Sequence, residues 1–527
     1  MHAIARILLP LAITAVLCQC GAPQPPTCGF LTRRSSAPAP TLIEVARTEW
    51  TILANPARRA DWPRAQTSYN TAVGKLFDQL RCGSGTWDQR AAAIGTTIAP
   101  PSDHQSDLAL VDALFPATKV KTDIVNHHHI TDGIGVPLVG WRKTTPVGIR
   151  RPDYLLPNGL PYITTAIVSF DTGRPTWIFP KRWYQDSIRV GSATLPLAAD
   201  WTAPNAFYWR MCELDNLKLQ NVFLPGRFSE ETELYFVEPY DPGKIPVVFV
   251  HGLVSSPDAF KNMINDLSPE PWFRKNYQIW LFSYPTGNPW IYSSMNFRKT
   301  MREAIAYARS NGGSKTIDDM VVVTHSMGGL VTRSSVTDPG TRYYHSWRDE
   351  PIDALDASEK TKQFIREASL FTPLTEPDRV VFCAVPHRGS PMATFRFATA
   401  LSRLIRLPKT LTVDLLDTTL QSVGDAVQGT TKPHIPTSIN SLSPADRNTR
   451  VLGSLPLPSH IRFHSIIGDR GKGNSPESSD GVVPYWSSHV EPVESELIVP
   501  SAHGVPDDPQ ASIELQRILK LHLQQSR

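Results

Sequence analysis

Short apolar runs alternate with stretches of helical periodicity from Pro246 to the C-terminus, and this alternation limits the possible folds more than any other feature of the sequence. Each run has the length of a strand, and Phe297, Met301 and Ala308 mark a helical face between the second and the third run. Strands that alternate with helices predict a parallel sheet that helices cover on both faces. The apolar runs are Pro246–Val250, Gln278–Ser283, Met320–Thr324, Arg379–Ala384, Ile461–Ile467 and Glu496–Val499.

Residues 43–240 have a mixed character, and no catalytic pattern occurs in them, so this region has no assigned role. Helices are predicted near Gln66–Leu80 and Asp107–Leu114. Short β-like runs follow, separated by Pro and Gly, which predicts a mixed region that contains strands. These runs are Tyr162–Phe170, Thr176–Phe179 and Glu233–Val237.

The composition is that of a large folded chain. Its 527 residues predict roughly two to four domains, and 41% hydrophobic residues suffice for a large core, which excludes a disordered polymer. The formal net charge of +4 is too small to indicate binding to nucleic acid or to an anionic membrane.

The N-terminus predicts export. Arg6 precedes an apolar run from Ile7 to Leu17, which is too short to span a bilayer but suits the core of a signal peptide over residues 1–20. Leu17 lies three residues before Cys20, as in a bacterial lipoprotein signal. Lipidation at Cys20 or Cys18 and plain cleavage both stay open. We expect the protein in the periplasm or cell envelope, either lipid-anchored or secreted, with residues 21–42 as a tether.

The cysteines do not predict a metal site, because no CxxC spacing occurs among them. Export would permit a disulfide bond such as Cys28–Cys82. The run His127-His128-His129 is a second place where a metal could be considered. We interpret it as a polar loop, because adjacent residues on an extended chain point to alternate sides.

Ser326 is the candidate nucleophile. It lies in the sequence Thr324-His325-Ser326-Met327-Gly328, directly after one apolar run and before a helix-compatible stretch. A strand, a sharp turn and a helix are the setting of a nucleophile elbow, in which the turn exposes the Ser hydroxyl. The residues two before and two after the Ser must be small, and Gly328 fits, whereas Thr324 replaces the usual first Gly.

The loop after the first apolar run supplies the candidate oxyanion hole. This run ends in His251-Gly252-Leu253, and loops at the carboxyl ends of parallel strands are where ligands bind. We assign the two oxyanion donors to the backbone N–H groups of Leu253 and Met327. His251 and Gly252 are expected to support the loop, with His251 as an alternative, less favoured base.

His503 is the candidate base, because it lies between the last predicted strand and the last predicted helix. Two residues compete for the acid. Asp480 is favoured, since Gly481 and an apolar continuation would hold its carboxylate in a defined turn. Asp469 lies in a Gly-rich stretch beside positive charge and is interpreted as an ion-paired loop residue.

Together these segments resemble the α/β-hydrolase superfamily, specifically its lipase and esterase branch, over residues 241–527. The resemblance implies an α/β fold in which His503 takes the proton of Ser326 and Asp480 orients His503. It implies an acyl-enzyme mechanism without metal or cofactor. The segment Pro386–Ser390 is similar to one that shapes the pocket in bacterial lipases. The implied substrate is a small-molecule or lipid ester.

Two insertions interrupt the predicted hydrolase unit, at residues 340–377 and 391–460. The second carries apolar residues at near-helical spacing, from Phe395 to Leu420. It is either a lid over an apolar acyl group or an additional packed layer of helices. Two other functions stay open, an acyltransferase with the same triad and a non-catalytic envelope-binding lipoprotein on a hydrolase scaffold.

Overall fold

The sheet of the C-terminal part follows the predicted alternation. This computed structural model describes residues 37–103, 105–144, 153–157, 159–211, 232–391, 441–471 and 478–526. The strands of the sheet are β10 (Glu233–Phe236), β11 (Ile245–Val250), β12 (Tyr277–Ser283), β13 (Met320–His325), β14 (Pro377–Cys383), β15 (Arg462–Gly468) and β16 (Ser495–Val499). They lie in the order β10-β12-β11-β13-β14-β15-β16. Strand β10 is antiparallel to β12, and the other neighbours are parallel.

This sheet begins earlier in the chain than the predicted boundary at residue 241, because β10 pairs with β12. The run Glu233–Val237 therefore belongs to the C-terminal unit. The order also contains a switch point, since β12 lies on one side of β11 and β13 on the other. Crevices at the carboxyl ends of strands at such a point are where ligands bind in open α/β sheets.

Each face of the sheet is buried in its own apolar core. Val247 and Phe249 pack into one core and Val248 and Val250 into the other, because successive side chains of a strand point to opposite faces. Helices cover both faces, as predicted. The helices of this unit are α5 (Lys261–Leu267), α6 (Pro271–Asn276), α7 (Trp290–Ser310), α8 (Met327–Val336), α9 (Arg342–His345), α10 (Glu359–Ser369), α11 (Arg447–Ser454), α12 (Tyr485–Ser488) and α13 (Pro509–Gln525).

The N-terminal region contains both helices and strands. They are α1 (Ala39–Leu53), α2 (Trp62–Arg81), α3 (Trp87–Ala93), β1 (Thr97–Ile98), β2 (Ala113–Pro116), β3 (Ile130–Thr131), β4 (Val136–Arg142), β5 (Leu160–Ser169), β6 (Thr176–Ile178), β7 (Ser187–Val190), β8 (Ala193–Pro196), β9 (Ala199–Asp200) and α4 (Thr202–Met211). Five strands form a sheet in the order β1-β6-β5-β4-β2, and β3 with β9 and β7 with β8 form two further pairs. Helices α1 and α2 share an apolar core with strands of this five-stranded sheet.

The prediction of a helix at Asp107–Leu114 is wrong. The Asp107 side chain accepts a hydrogen bond from the backbone N–H of Ala109, but only one 3₁₀ turn follows, at Leu108–Leu110. Leu114 instead pairs with Gly140 in the antiparallel ladder of β2 and β4. Pairing with a distant strand outweighs the local helical preference here. The helix predicted at Gln66–Leu80 lies within α2.

The predicted tether, residues 21–42, overlaps a helix. Helix α1 begins at Ala39 and carries Pro40 in its first turn, where a missing backbone N–H costs no hydrogen bond. Leu42 is buried in the core that α1 and α2 share. The last residues of the predicted tether are therefore part of a helix start. Residues 1–36, with the proposed signal and lipidation cysteines, lie outside the described residues.

The N-terminal region packs on the C-terminal unit at the helices that follow β11. Tyr208 and Trp209 belong to the same apolar core as β11 and β12. The buried guanidinium of Arg274 pairs with Asp186 at 2.7 Å and lies 3.9 Å from the ring centre of Trp201. Apolar side chains and one ion pair therefore join the two parts of the chain. The carboxylate of Asp186 neutralises the charge of the buried Arg274 guanidinium.

Cys82 is disulfide-bonded, whereas Cys383 is a buried free thiol, and Cys28 of the predicted pair lies outside the described residues. The apolar part of the second insertion, from Phe395 to Leu420, also lies outside them. In the part of the chain that the structure describes, none of the helices has the length and apolarity to cross a membrane.

Candidate active site

Ser326 lies on a sharp turn between β13 and α8. Its backbone has φ 54° and ψ −127°, a conformation that L-residues rarely adopt. The turn places Ser326 directly before the N-terminus of α8, where backbone N–H groups lack partners within the helix. The predicted strand, turn and helix are therefore present, with the Ser hydroxyl at the carboxyl end of a central strand.

Small residues make this turn sterically feasible. A Cβ atom on Gly328 would lie 2.3 Å from the carbonyl oxygen of Val250, and one on Gly329 would lie 2.1 Å from the side chain of Val385. Thr324, which replaces the usual first Gly, is fully buried and donates its hydroxyl to the carbonyl oxygen of Val381 at 3.2 Å. The neighbouring strand thus provides an acceptor for the polar atom that the substitution introduces.

His503 and Asp480 complete a hydrogen-bonded chain with Ser326. The Nε2 atom of His503 lies 2.8 Å from Ser326 Oγ, and Nδ1 lies 2.7 Å from Asp480 Oδ2. In the neutral tautomer that this arrangement requires, Nδ1–H donates to Asp480 and Nε2 accepts from Ser326. The three side chains come from loops after β13, β15 and β16, which a parallel sheet brings to one edge.

Asp480, and not Asp469, lies against the imidazole. The Asp480 side chain is 1% exposed, and its second oxygen accepts backbone N–H groups of Val482 and Val483, both at 2.7 Å. These bonds fix the carboxylate and satisfy the oxygen that does not face His503. Asp469 accepts the backbone N–H of Gly471 at 3.2 Å in its own loop.

The two residues assigned to the oxyanion hole lie beside Ser326. Met327 is the first residue of α8, and Leu253 follows a glycine packed closely against Ser326. A Cβ on that glycine, Gly252, would lie 2.8 Å from Ser326 Cβ. Only a glycine permits this approach, which brings the loop after β11 next to the nucleophile.

His251 supports this loop. Its buried ring stacks on Tyr284 with centroids 4.6 Å apart, and the Tyr284 hydroxyl donates to the His251 carbonyl oxygen at 2.8 Å. Because the imidazole that contacts Ser326 is that of His503, the alternative of His251 as base finds no support in the geometry.

The sequence reasoning missed His325, the residue before Ser326. Its Nε2–H donates to the backbone carbonyl oxygen of His503 at 2.7 Å. Burial, and next the charge of His503, lower the pKa of His325 to about 3, so the ring is neutral. In the sequence, an apolar run followed by His-Ser indicates only where the strand ends, and it gives no sign of a role for His325. The contact joins residues 178 positions apart and could not be deduced from spacing.

The segment Pro386–Ser390 packs against the loop that carries Asp480. The Ser390 hydroxyl donates to the carbonyl oxygen of Val482 at 2.5 Å, and the Arg388 guanidinium donates to the carbonyl oxygen of Trp486 at 2.6 Å. These bonds hold residues 482–486, and hence the backbone donors to Asp480, in place.

Comparisons with known proteins give distant structural likenesses. No protein-family model matches the chain, and no curated protein matches it. A lipase of Bacillus licheniformis, BlEst2 in mature form, is 15% identical, with a TM-score of 0.32 and coverage of 54% of this chain and 97% of that chain. A carboxylesterase structure from Nitrososphaera gargenis is 10% identical, with a TM-score of 0.28 over 56% of this chain and 97% of that one.

A thioesterase domain from the curacin biosynthetic pathway is 14% identical, with a TM-score of 0.28 over 55% of this chain and 99% of that domain. Since these scores are low, the fold is assigned from the chain's own strand order and from the turn at Ser326. The antiparallel first strand, the switch point at β11 and the elbow after β13 are the defining features of one architecture. The described residues of the C-terminal part, 233–391, 441–471 and 478–526, therefore have the α/β-hydrolase fold.

Proposed function

We propose that the protein is an exported serine hydrolase that cleaves carboxylic esters with an apolar acyl group. The observation that carries this proposal is the chain Ser326–His503–Asp480, with successive contacts of 2.8 and 2.7 Å, at the N-terminus of α8. A nucleophile, a base and an orienting carboxylate in this order are the groups that acyl transfer from an ester requires.

The mechanism follows from these contacts. His503 Nε2 takes the proton of Ser326 as Oγ attacks the ester carbonyl carbon. The imidazolium is stabilised by Asp480, which stays ionised. The backbone N–H groups of Leu253 and Met327 bind the oxyanion of the tetrahedral intermediate. Collapse expels the alcohol, which receives the proton from His503, and leaves an acyl group on Ser326.

Water completes the cycle. It attacks the acyl carbon while His503 takes its proton. The second tetrahedral intermediate then collapses as His503 returns this proton to Ser326 Oγ, which leaves a carboxylic acid and free Ser326. No cofactor takes part in this scheme. If an alcohol replaces water as the second nucleophile, the same groups perform acyl transfer, so product analysis is part of the test.

Apolar side chains near the proposed site support an apolar acyl substrate. Val254 is 37% exposed directly after Leu253, and Val482 is 38% exposed two residues after Asp480. Exposed apolar residues on loops beside polar catalytic groups are typical of ligand sites that bind hydrocarbon.

A panel of p-nitrophenyl esters with acyl chains from acetate to palmitate tests the substrate class. We expect hydrolysis that favours medium or long chains in the wild type and background rates in Ser326→Ala. Acyl ester in place of free acid, when an alcohol acceptor is added, would identify a transferase. No turnover of any ester by folded protein would favour the binding-lipoprotein alternative and contradict the proposal.

Export and lipid anchoring are proposed from the sequence alone. Metabolic labelling with palmitate in a bacterial host tests them, with Cys20→Ala and Cys18→Ala as paired variants. If only one of the two variants loses the label, the cysteine replaced in that variant is the modified one. Absence of label from a cleaved, secreted protein would show plain cleavage instead.

A further inference from the structure

The structure brings two histidines of the polar run together with a distant aspartate. His127 Nδ1 lies 3.0 Å and His129 Nε2 lies 2.8 Å from the same oxygen, Oδ1 of Asp266. His128 points the other way and contacts Asp200 at 3.0 Å. Because alternate residues of an extended chain share a side, His127 and His129 face α5 together. Our interpretation of the run as a plain polar loop overlooked this pairing of first and third residues.

Both chain segments that carry these groups are held in place. The side-chain amide of Asn265 donates to the His127 carbonyl oxygen at 2.9 Å, and the Thr202 hydroxyl accepts the His129 backbone N–H at 2.9 Å. A donor set whose backbone is fixed by further hydrogen bonds needs little reorganisation to bind a ligand.

The electrostatics favour a cation between the three side chains. One nitrogen of each imidazole lies within hydrogen-bond distance of the same oxygen of the Asp266 carboxylate, which is an anionic ligand. The aspartate is 9% exposed, whereas the side chains of His127 and His129 are 45% and 30% exposed. An ion can therefore reach a buried negative charge from solvent.

The distances suit a transition metal. The three candidate ligand atoms lie within 4.8 Å of one another. Two ligands at about 2.0 Å from a tetrahedral Zn²⁺ are separated by roughly 3.3 Å. The N···O distances of 3.0 and 2.8 Å need to open by a few tenths of an ångström, and the two imidazole nitrogens, which lie within 4.8 Å of each other, need to approach by a small side-chain rotation. Each imidazole can offer its lone pair by placing its proton on the other ring nitrogen.

We propose that His127, His129 and Asp266 form a binding site for a divalent transition-metal ion such as Zn²⁺, with water completing the coordination. Two imidazoles and one carboxylate are a donor set that binds zinc and its neighbours in the first transition row. The ion ties the N-terminal region to α5 of the hydrolase unit. The site is separate from Ser326 and does not depend on the proposed ester hydrolysis.

Metal binding is measured directly on the untagged full chain after dialysis against a chelator. Isothermal titration with Zn²⁺ gives stoichiometry and affinity, and titration with Co²⁺ gives a visible spectrum that reports the geometry. His127→Ala, His129→Ala and Asp266→Asn are each expected to weaken binding at least tenfold. His128→Ala and Ser326→Ala are expected to bind as the wild type does.

His128→Ala is the matched control, because His128 is as exposed as His127 and also contacts an aspartate. His127→Ala removes a half-exposed side chain, so it keeps the test valid if a variant at the buried Asp266 fails to fold. Zn²⁺ is also expected to raise the Tm of the wild type and of His128→Ala, but not of His127→Ala. No Zn²⁺ or Co²⁺ binding by the wild type, or equal binding by His127→Ala and His128→Ala, would overturn the proposal.

Discussion

The Nε2 atom of His325 lies 2.7 Å from the backbone carbonyl oxygen of His503. The residue before the proposed nucleophile thus holds the main chain of the proposed base, while the side chain of that base contacts Ser326 at 2.8 Å. The two loops are fixed relative to each other by a hydrogen bond that takes no part in the chemistry. We interpret His325 as a positioning residue.

Loss of this hydrogen bond is expected to reduce turnover. In His325→Phe, the His503 loop loses its donor, and we predict about a fivefold lower kcat with an almost unchanged KM, because a buried hydrogen bond contributes ~1 kcal/mol. His325→Gln, whose amide nitrogen can reach the same carbonyl oxygen, is expected to restore most of the rate. Steady-state kinetics decide the matter. Equal losses in both variants would show that His325 only fills space.

The acid assignment predicts different effects for two aspartates. Asp480→Asn should lower kcat by roughly 10⁴, since the amide no longer selects the tautomer in which His503 accepts from Ser326. Asp469→Asn should change kcat by less than about tenfold, because the Asp469 carboxylate bonds within its own loop. Ester hydrolysis by the two variants, at matched folded protein, is the measurement. A larger loss in Asp469→Asn would reverse the assignment.

Two glycine substitutions should change stability with opposite signs. Gly328→Ala places a methyl group 2.3 Å from the Val250 carbonyl oxygen and should lower the free energy of unfolding by more than ~2 kcal/mol. Gly74→Ala lies in α2 with its nearest contact at 3.7 Å and should raise it by about 0.5–1 kcal/mol. Urea unfolding of both variants tests this. A neutral Gly328→Ala would contradict the close packing of the elbow.

Buried histidines should make the protein less stable in mild acid. Burial lowers the pKa of His522 to about 4, whereas the unfolded chain protonates near 6.5. Between these values the unfolded state binds the extra proton, so the stabilisation is complete above about pH 6.5 and is lost as the pH falls toward 4. His325 and His464, each with a pKa lowered to about 3, act in the same direction.

His522→Gln isolates one of these terms. The Tyr277 hydroxyl donates to the Leu519 carbonyl oxygen at 2.8 Å, so His522 Nδ1–H donates to that hydroxyl at 2.7 Å. The side-chain amide of glutamine can donate to it without titrating. The free energy of unfolding of this variant should depend on pH less steeply between pH 6.5 and 4, by about 1.4 kcal/mol per pH unit. Urea unfolding at several pH values is the measurement. Equal slopes in wild type and variant would mean that His522 titrates normally in the folded protein.

The sequence predicts those features that local pattern determines. The elbow at Ser326 follows from an apolar strand, a small residue and a helix, and Asp480 follows from Gly481 and an apolar continuation. The features that the sequence does not predict are those that depend on contacts with residues far away in the chain. Leu114 joins a strand because Gly140 lies opposite it, and Glu233–Phe236 joins the hydrolase sheet because β12 offers an edge.

The same reason applies to the two sites that spacing did not reveal. His325 contacts the main chain of a residue 178 positions away, and His129 contacts an aspartate 137 positions away. Both contacts exist only because the sheet and the N-terminal region bring separate loops together. Spacing along the chain carries no information about either one.

The most direct test of the account is covalent labelling of Ser326. A fluorophosphonate probe should modify folded wild-type protein at this residue alone, as located by peptide mass spectrometry. The rate of ester cleavage should fall in proportion to the fraction of protein that is labelled. Ser326→Ala should show neither labelling nor activity while keeping the wild-type Tm within a few degrees. Labelling and ester cleavage that persist in Ser326→Ala would contradict the assignment of the nucleophile.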